Sequence, residues 1–109
     1  MKYISLLVML FTLPQAFAAE CKVYGISDSP QKMSCQFKAE KVSLTCVNGQ
    51  YFLNSSKVSD AFHYEVEDGP VPLVFKAPDM QMVVVIHRKN NIEAELDRDG
   101  NLFNGKCRL

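Results

Sequence analysis

From residue 19 onward, hydrophobic and polar residues alternate with a period of two over most of the chain. The segments 62–67 and 92–97 each place a hydrophobic residue at every second position. This spacing is typical of β-strands with one buried and one solvated face. The same region contains no sustained hydrophobic stripe with the 3.6-residue period of an amphipathic helix. The pattern therefore predicts an all-β domain.

Turn residues interrupt the alternation at short intervals, most clearly at Asn48-Gly49, Asp68-Gly69-Pro70, Ala77-Pro78-Asp79, Asn90-Asn91 and Asp99-Gly100. Asn-Gly and Asp-Gly favour the type I′ turn, because its two central residues both need positive φ. The segments between turns predict nine strands, near residues 21–26, 33–38, 42–47, 50–55, 61–67, 71–76, 80–88, 92–97 and 101–108. We expect a small antiparallel meander of eight or nine short strands, closed as a barrel or folded as a sandwich.

Two turns also predict which residues pair across their hairpins. A turn at Asp99-Gly100 sets Leu96 opposite Phe103, Ala94 opposite Gly105, Ile92 opposite Cys107 and Glu93 opposite Lys106. A turn at Asn48-Gly49 sets Cys46 opposite Tyr51 and Leu44 opposite Leu53, which turns Phe52 outward. The run Met80–Ile86 is hydrophobic on both faces except at Gln81. That composition predicts a central strand covered on both sides.

Residues 1–18 have the three parts of a secretory signal peptide. Lys2 is the positive charge, residues 4–13 are hydrophobic, and Ala16-Phe17-Ala18 supplies the small residues required before the cleavage site. The hydrophobic run is shorter than the about 20 residues that span a bilayer. We expect cleavage to leave a single disulfide-stapled β domain at 19–109, which is secreted or periplasmic and has no membrane anchor.

Four cysteines in an exported domain of this size indicate two disulfides. Closing a meander into a barrel brings the first and last strands together, which favours Cys21–Cys107 and leaves Cys35–Cys46. The alternative joins Cys21 to Cys35 and Cys46 to Cys107, as a sandwich would. The sequence contains no C-x-x-C pair, which removes the usual zinc and thioredoxin-type signals.

Candidate catalytic and metal-binding residues are few. His63 and His87 occur without a Gly-x-Ser-x-Gly nucleophile motif. His63 and Glu65 share the i, i+2 spacing that can converge on a metal, but no third ligand is evident, and we interpret them as solvated strand residues. The segment 97–101 resembles the start of a calcium loop without its required glycine and final glutamate. We therefore expect no cofactor, no metal site and no catalytic residue.

Charge narrows the choice of partner. Removal of the signal peptide with Lys2 changes the formal net charge from 0 to about −1. The sequence contains no basic patch of the kind that binds nucleic acid, so we expect no nucleic-acid partner. Residues 58–109 contain nine acidic and six basic residues, which is typical either of a solvated face or of a surface that meets a cationic partner.

These observations predict an exported, monomeric, non-catalytic domain that binds another exported protein, most concretely an inhibitor of a secreted hydrolase. The binding residues are not identified by the sequence. Two alternatives stay open: a carrier of a small apolar ligand in a β-barrel mouth, and a minor hydrolase.

Overall fold

The computed structural model describes residues 20–89 and 91–109. The predicted signal peptide lies outside the described residues. Within these two ranges nine strands form in chain order: β1 (Lys32–Phe37), β2 (Lys41–Val47), β3 (Gln50–Leu53), β4 (Ser56–Lys57), β5 (Asp60–His63), β6 (Pro72–Ala77), β7 (Met80–Ile86), β8 (Ile92–Arg98) and β9 (Asn101–Arg108). No helix within the described ranges has the length and hydrophobicity to cross a membrane.

All nine strands belong to one antiparallel sheet with the order β4-β3-β2-β1-β9-β8-β7-β6-β5. The sheet is strongly curled into a half-barrel, which confirms the predicted all-β antiparallel fold of short strands with two disulfides. Its two ends meet at the segment that runs from β4 into β5. There the Val58 amide donates to the Tyr51 carbonyl at 2.9 Å, and the Ser59 amide donates to the Lys76 carbonyl at 2.7 Å. This bent segment therefore bonds to β3 on one side and to β6 on the other.

Both predicted hairpin registers are confirmed. Strands β8 and β9 pair with Leu96 opposite Phe103 and Ile92 opposite Cys107, and Cys46 lies opposite Tyr51 between β2 and β3. The turn residues at 48–49 and 99–100 all have positive φ, as a type I′ turn requires. Local turn chemistry and the hydrophobic pattern specify the same register in each hairpin.

The concave face of the half-barrel holds the hydrophobic core. Its largest fully buried side chains are Phe75, Met33, Leu44, Leu53, Met82 and Leu96. They come from both ends of the sheet, because curling brings β2 and β3 over β6 and β7. The rings of Tyr51 and Phe75 meet edge to face with centroids 4.9 Å apart.

The prediction of a strand at 21–26 is wrong. This segment contains only an isolated bridge between Val23 and Ile26, yet Cys21 and Val23 are buried in the core. Ser29 holds the loop in shape, because its Oγ accepts from the Val23 amide at 3.0 Å and donates to the Ile26 carbonyl at 3.1 Å. The segment therefore packs against the core as a folded loop rather than as a strand.

The preferred disulfide pairing is also wrong, and so is its alternative. The bonds are Cys21–Cys46 and Cys35–Cys107, and they leave no free cysteine. The first and last strands do meet, as expected, but the first strand is β1, which places Cys35 directly opposite Cys107. In the β1–β2 hairpin Cys35 faces Val42 rather than Cys46. Cys46 is thus left to hold the N-terminal loop through Cys21.

A half-buried ion-pair cluster links the turns at one end of the half-barrel. Arg98 Nε donates to Glu40 Oε1 at 2.8 Å, and its Nη2 donates to Glu40 Oε2 at 2.6 Å. Arg98 Nη1 also donates to Asp79 Oδ2 at 3.3 Å. Glu40 precedes β2 and Asp79 precedes β7, so one guanidinium ties together turns on both sides of β8.

Candidate interaction surface

The outer, convex face of β7 is largely hydrophobic and partly exposed. Met80, Met82 and Val84 point into the core, while Val83 and Val85 alternate with them and remain half-buried. Strand β7 lies inside the sheet, as predicted, but the expectation that both of its faces are covered is wrong. The described residues form a single sheet, and none of its strands crosses this outer face. We therefore treat the outer face around Val83 and Val85 as the candidate interaction surface.

The outward row of hydrophobic side chains continues from β7 onto β6 and β5. Phe62 lies opposite Val74, and Val74 lies opposite Val83, so the three side chains form one outward row. Val74 is fully buried although it does not belong to the core cluster. Lys76 extends over the Phe62 ring, with Nζ 5.2 Å from its centroid. The aliphatic stem of Lys76 and the side chains of Phe62 and Val74 thus form a second, smaller hydrophobic layer on the convex side of the half-barrel.

The predicted orientation of the segment 61–67 is reversed. Ala61 packs against the core, which turns Phe62 and Tyr64 outward and His63 inward. The rings of Phe62 and Tyr64 contact edge to face at 5.4 Å. The strand also ends at His63, so Glu65 lies in the following loop. His63 and Glu65 therefore do not share a strand face, so they do not form the pair of metal ligands that their spacing allows. The interpretation of His63 as a solvated strand residue is also wrong, because its side chain faces inward.

A shallow groove crosses the candidate interaction surface from β7 to β9. Its volume is about 570 Å³. Val83 and Val85 form its hydrophobic side, Glu93 and Glu95 stand beside them on β8, and Asn104 closes it on β9. The groove thus has a hydrophobic side formed by valines and two carboxylates beside it. The valines suit the aliphatic stem of a basic side chain, and the carboxylates suit its charged end.

The two glutamates of the groove differ in their partners. Glu93 Oε2 lies 3.0 Å from His87 Nε2, an ion pair when the imidazole is protonated. Lys106 lies opposite Glu93 in the register, as predicted, but the ion pair that Glu93 makes is with His87. Glu95 is exposed and makes no side-chain hydrogen bond or ion pair with the described residues. Its carboxylate is therefore available to a partner.

Two polar groups are buried without a hydrogen-bond partner in the described part of the chain: Tyr51 Oη and His63 Nδ1. Burial raises the pKa of the Tyr51 hydroxyl above its ordinary value, and the nearby Ser29 side chain offsets part of that rise. The His63 ring lies 6.1 Å from the Tyr24 ring, measured between centroids. These groups lie on the inner side of the sheet, apart from the groove. Across residues 20–89 and 91–109, no three potential metal ligands come together.

The sequence pattern predicted part of the candidate interaction surface. It identified the two-faced hydrophobic run of β7, the outward carboxylates of β8 and the excess of acidic residues, but not their meeting in one groove. Phe52 is turned outward, as predicted, opposite Thr45 and Lys57 on the other half of the sheet.

No family model, curated protein or solved structure matches this chain.

Proposed function

We propose that this chain is an exported, non-catalytic domain that binds another exported protein through the outer face of β5–β8. The observation that carries the proposal is the partly exposed hydrophobic face of β7. Val83 and Val85 belong to a strand with the composition of one buried on both sides, yet they stay partly exposed, and no second sheet lies over them in the described residues. Contiguous hydrophobic surface with a polar rim is typical of protein interaction sites.

Export is supported by two independent features. The segment 1–18 has the composition of a secretory signal peptide. The two disulfides indicate an oxidising, extracytoplasmic environment.

The concrete role that we propose is inhibition of a secreted hydrolase. A disulfide-stapled sheet holds its surface and loops in one conformation, so little entropy is lost on binding. The loop after β5 begins with the exposed Tyr64, whose ring contacts the outward Phe62 ring, and would extend the contact. Large side chains fill the concave side of the sheet, which supports binding on the convex face over the alternative of a ligand carried inside.

The test is affinity capture from the native exported fraction with three forms of the mature protein. The first is wild type, and the second carries Val83→Gln and Val85→Gln. The third carries Ser43→Gln and Thr45→Gln, which lie on the outer face of β2, in the other half of the sheet. We expect wild type and the β2 variant to retain the same protein, and the β7 variant to lose it. Equal capture by all three forms would contradict the proposal.

The inhibitor role is tested on the captured protein after purification. We expect its hydrolytic activity to fall as wild-type domain is added and to stay constant with the β7 variant. Unchanged activity in a stable complex would exclude inhibition while leaving binding intact. Native mass spectrometry of the domain from the same fraction tests the carrier alternative, which requires a retained small molecule.

A further inference from the structure

We infer that the partner presents an arginine or lysine side chain to the groove formed by Val83, Val85 and Glu95. The inference rests on the proposed function and adds the chemistry of the partner to it. The basic side chain would lay its aliphatic stem along the two valines and place its charged end at the Glu95 carboxylate.

The argument begins with the cost of covering Glu95. Glu95 lies directly opposite Val83 in the β7–β8 register, so a partner that covers the valine also removes water from the carboxylate. An ionised carboxylate that loses its water without gaining a partner is strongly unfavourable. Since the described residues supply no cation to Glu95, the binding partner has to supply one.

The other charges of this surface point the same way. Strands β7 and β8 place Glu93, Glu95 and Asp97 on the outer face, and the outward positions of these two strands hold no basic residue. On the flanking strands, Lys76 is drawn over the Phe62 ring, and Lys106 lies on β9 opposite Glu93. Glu93 thus has His87 and Lys106 near it, whereas Glu95 makes no ion pair with the described residues. A basic side chain of the partner would be attracted to the Glu95 carboxylate during encounter.

The same charges argue against a second copy of this chain as the occupant. A symmetric dimer with its two-fold axis at the groove would bring the β8 carboxylates of the two copies together. Like charges at close range oppose association. A different, basic partner satisfies both the hydrophobic side of the groove and the carboxylates.

Glu93 has a supporting part in this arrangement. His87 Nε2 lies 3.0 Å from its carboxylate and gives it a side-chain partner, which leaves Glu95 as the carboxylate of the groove without one. We therefore expect Glu95→Gln to weaken partner binding more than Glu93→Gln does.

The first experiment titrates the mature domain with the peptide acetyl-Leu-Arg-Leu-amide, followed by amide-resolved NMR. The matched probe replaces arginine by citrulline, which has nearly the same shape and no charge. We expect the arginine peptide to shift the amide signals of Val83, Val85, Glu95 and Asn104, and to do so less at high salt. We expect these shifts to be lost in Glu95→Gln and kept in the control Asp28→Asn, an exposed carboxylate of the N-terminal loop. Equal shifts with citrulline, shifts elsewhere, or no shifts would overturn the inference.

The second experiment repeats the capture with Glu95→Gln, so that the two proposals can fail separately. We expect on the order of tenfold weaker retention of the partner, because a charged pair in a desolvated contact loses one member. If the β7 variant abolishes capture and Glu95→Gln leaves it unchanged, the basic side chain is excluded and the proposed function stands. If capture is indifferent to both variants, both proposals fail. A homodimer seen by light scattering, lost in the β7 variant, would replace the basic partner with a second copy.

Discussion

Phe37 lies directly opposite Gly105 in the pair formed by β1 and β9, and its ring occupies the space that a side chain at position 105 would need. A Cβ built on Gly105 would come within 2.5 Å of Phe37 Cδ1 and would also clash with the Gln36 carbonyl. An aromatic ring laid over a cross-strand glycine is a known way to stabilise a glycine within a sheet. Here the pair lies at the junction where the first and last strands meet, next to Cys35 and Cys107.

We expect Gly105→Ala to destabilise the domain by about 1–3 kcal/mol, because the added methyl group overpacks a buried junction. The matched control is Asn104→Ala, which changes an exposed side chain one residue away and should stay within about 0.5 kcal/mol of wild type. Urea unfolding of the mature protein measures both free energies. Equal stability of Gly105→Ala and wild type would show that Phe37 moves aside without cost.

Non-reducing peptide mapping should recover a Cys21–Cys46 and a Cys35–Cys107 linkage. The sequence separations are 25 and 72 residues. From the loop-entropy relation, replacing each pair with alanine should cost about 3.5 kcal/mol for the shorter loop and about 4.4 kcal/mol for the longer one. A Cys21–Cys107 or Cys46–Cys107 peptide would contradict the sheet order described above.

Arg98→Met should destabilise the domain by about 1–2 kcal/mol, because it leaves the Glu40 carboxylate without its two charge-assisted hydrogen bonds. Glu40 contributes most to raising the pKa of Arg98, ahead of Asp79. A double-mutant cycle of Arg98→Met with Glu40→Gln isolates the pair, and we expect a coupling of about 1 kcal/mol that shrinks at high salt. The control Arg88→Met alters an exposed arginine. Zero coupling would mean that the two turns are held by other contacts.

Tyr51→Phe should change the alkaline stability of the domain. The pKa of Tyr51 is raised by burial, so above about pH 10 the unfolded chain loses this proton while the folded chain keeps it. The unfolded state then binds fewer protons than the folded state, so the contribution of Tyr51 to the free energy of unfolding falls as the pH rises. We expect Tyr51→Phe to reduce this alkaline loss. At neutral pH we expect it to be neutral or stabilising by up to about 1 kcal/mol, since the hydroxyl makes no hydrogen bond of standard geometry with the described residues, although Ser29 lies near it.

The control for Tyr51 is Tyr64→Phe, which removes the hydroxyl of an exposed tyrosine. Unfolding free energies measured at pH 7 and at several values above pH 9 give the slopes. The interpretation fails if Tyr51→Phe and wild type lose stability in parallel with rising pH.

Tyr24→Asn should stabilise the domain by about 0.5–1 kcal/mol, because a bulky residue with positive φ is strained and Asn-Gly suits a tight turn. Tyr24 has φ 44° and precedes Gly25 with φ 83°. The tyrosine is exposed at the tip of this loop, so its ring is not needed for the core. Tyr64→Asn serves as the control in thermal unfolding, and a loss of stability in Tyr24→Asn would assign the ring a structural role.

The sequence by itself determined the class of the fold, most strand positions and two hairpin registers. These features are local: alternation places every second side chain on one face, and Asn48-Gly49 and Asp99-Gly100 each fix a two-residue turn. The outward carboxylates of β8 follow from the same alternation.

Only the tertiary structure decided which distant segments meet. The disulfide pairing depends on β1 lying beside β9 and on the N-terminal loop packing into the core, neither of which leaves a periodic signal. The orientation of Phe62 was misjudged because Ala61 and His63, the less hydrophobic neighbours, are the ones that face inward in this curled sheet. The groove beside Val83 and Glu95 is open because residues 20–89 and 91–109 form one sheet, with no second sheet across its outer face. Whether another layer covers a hydrophobic face depends on the whole fold, so it cannot be inferred from the local pattern of hydrophobic and polar residues.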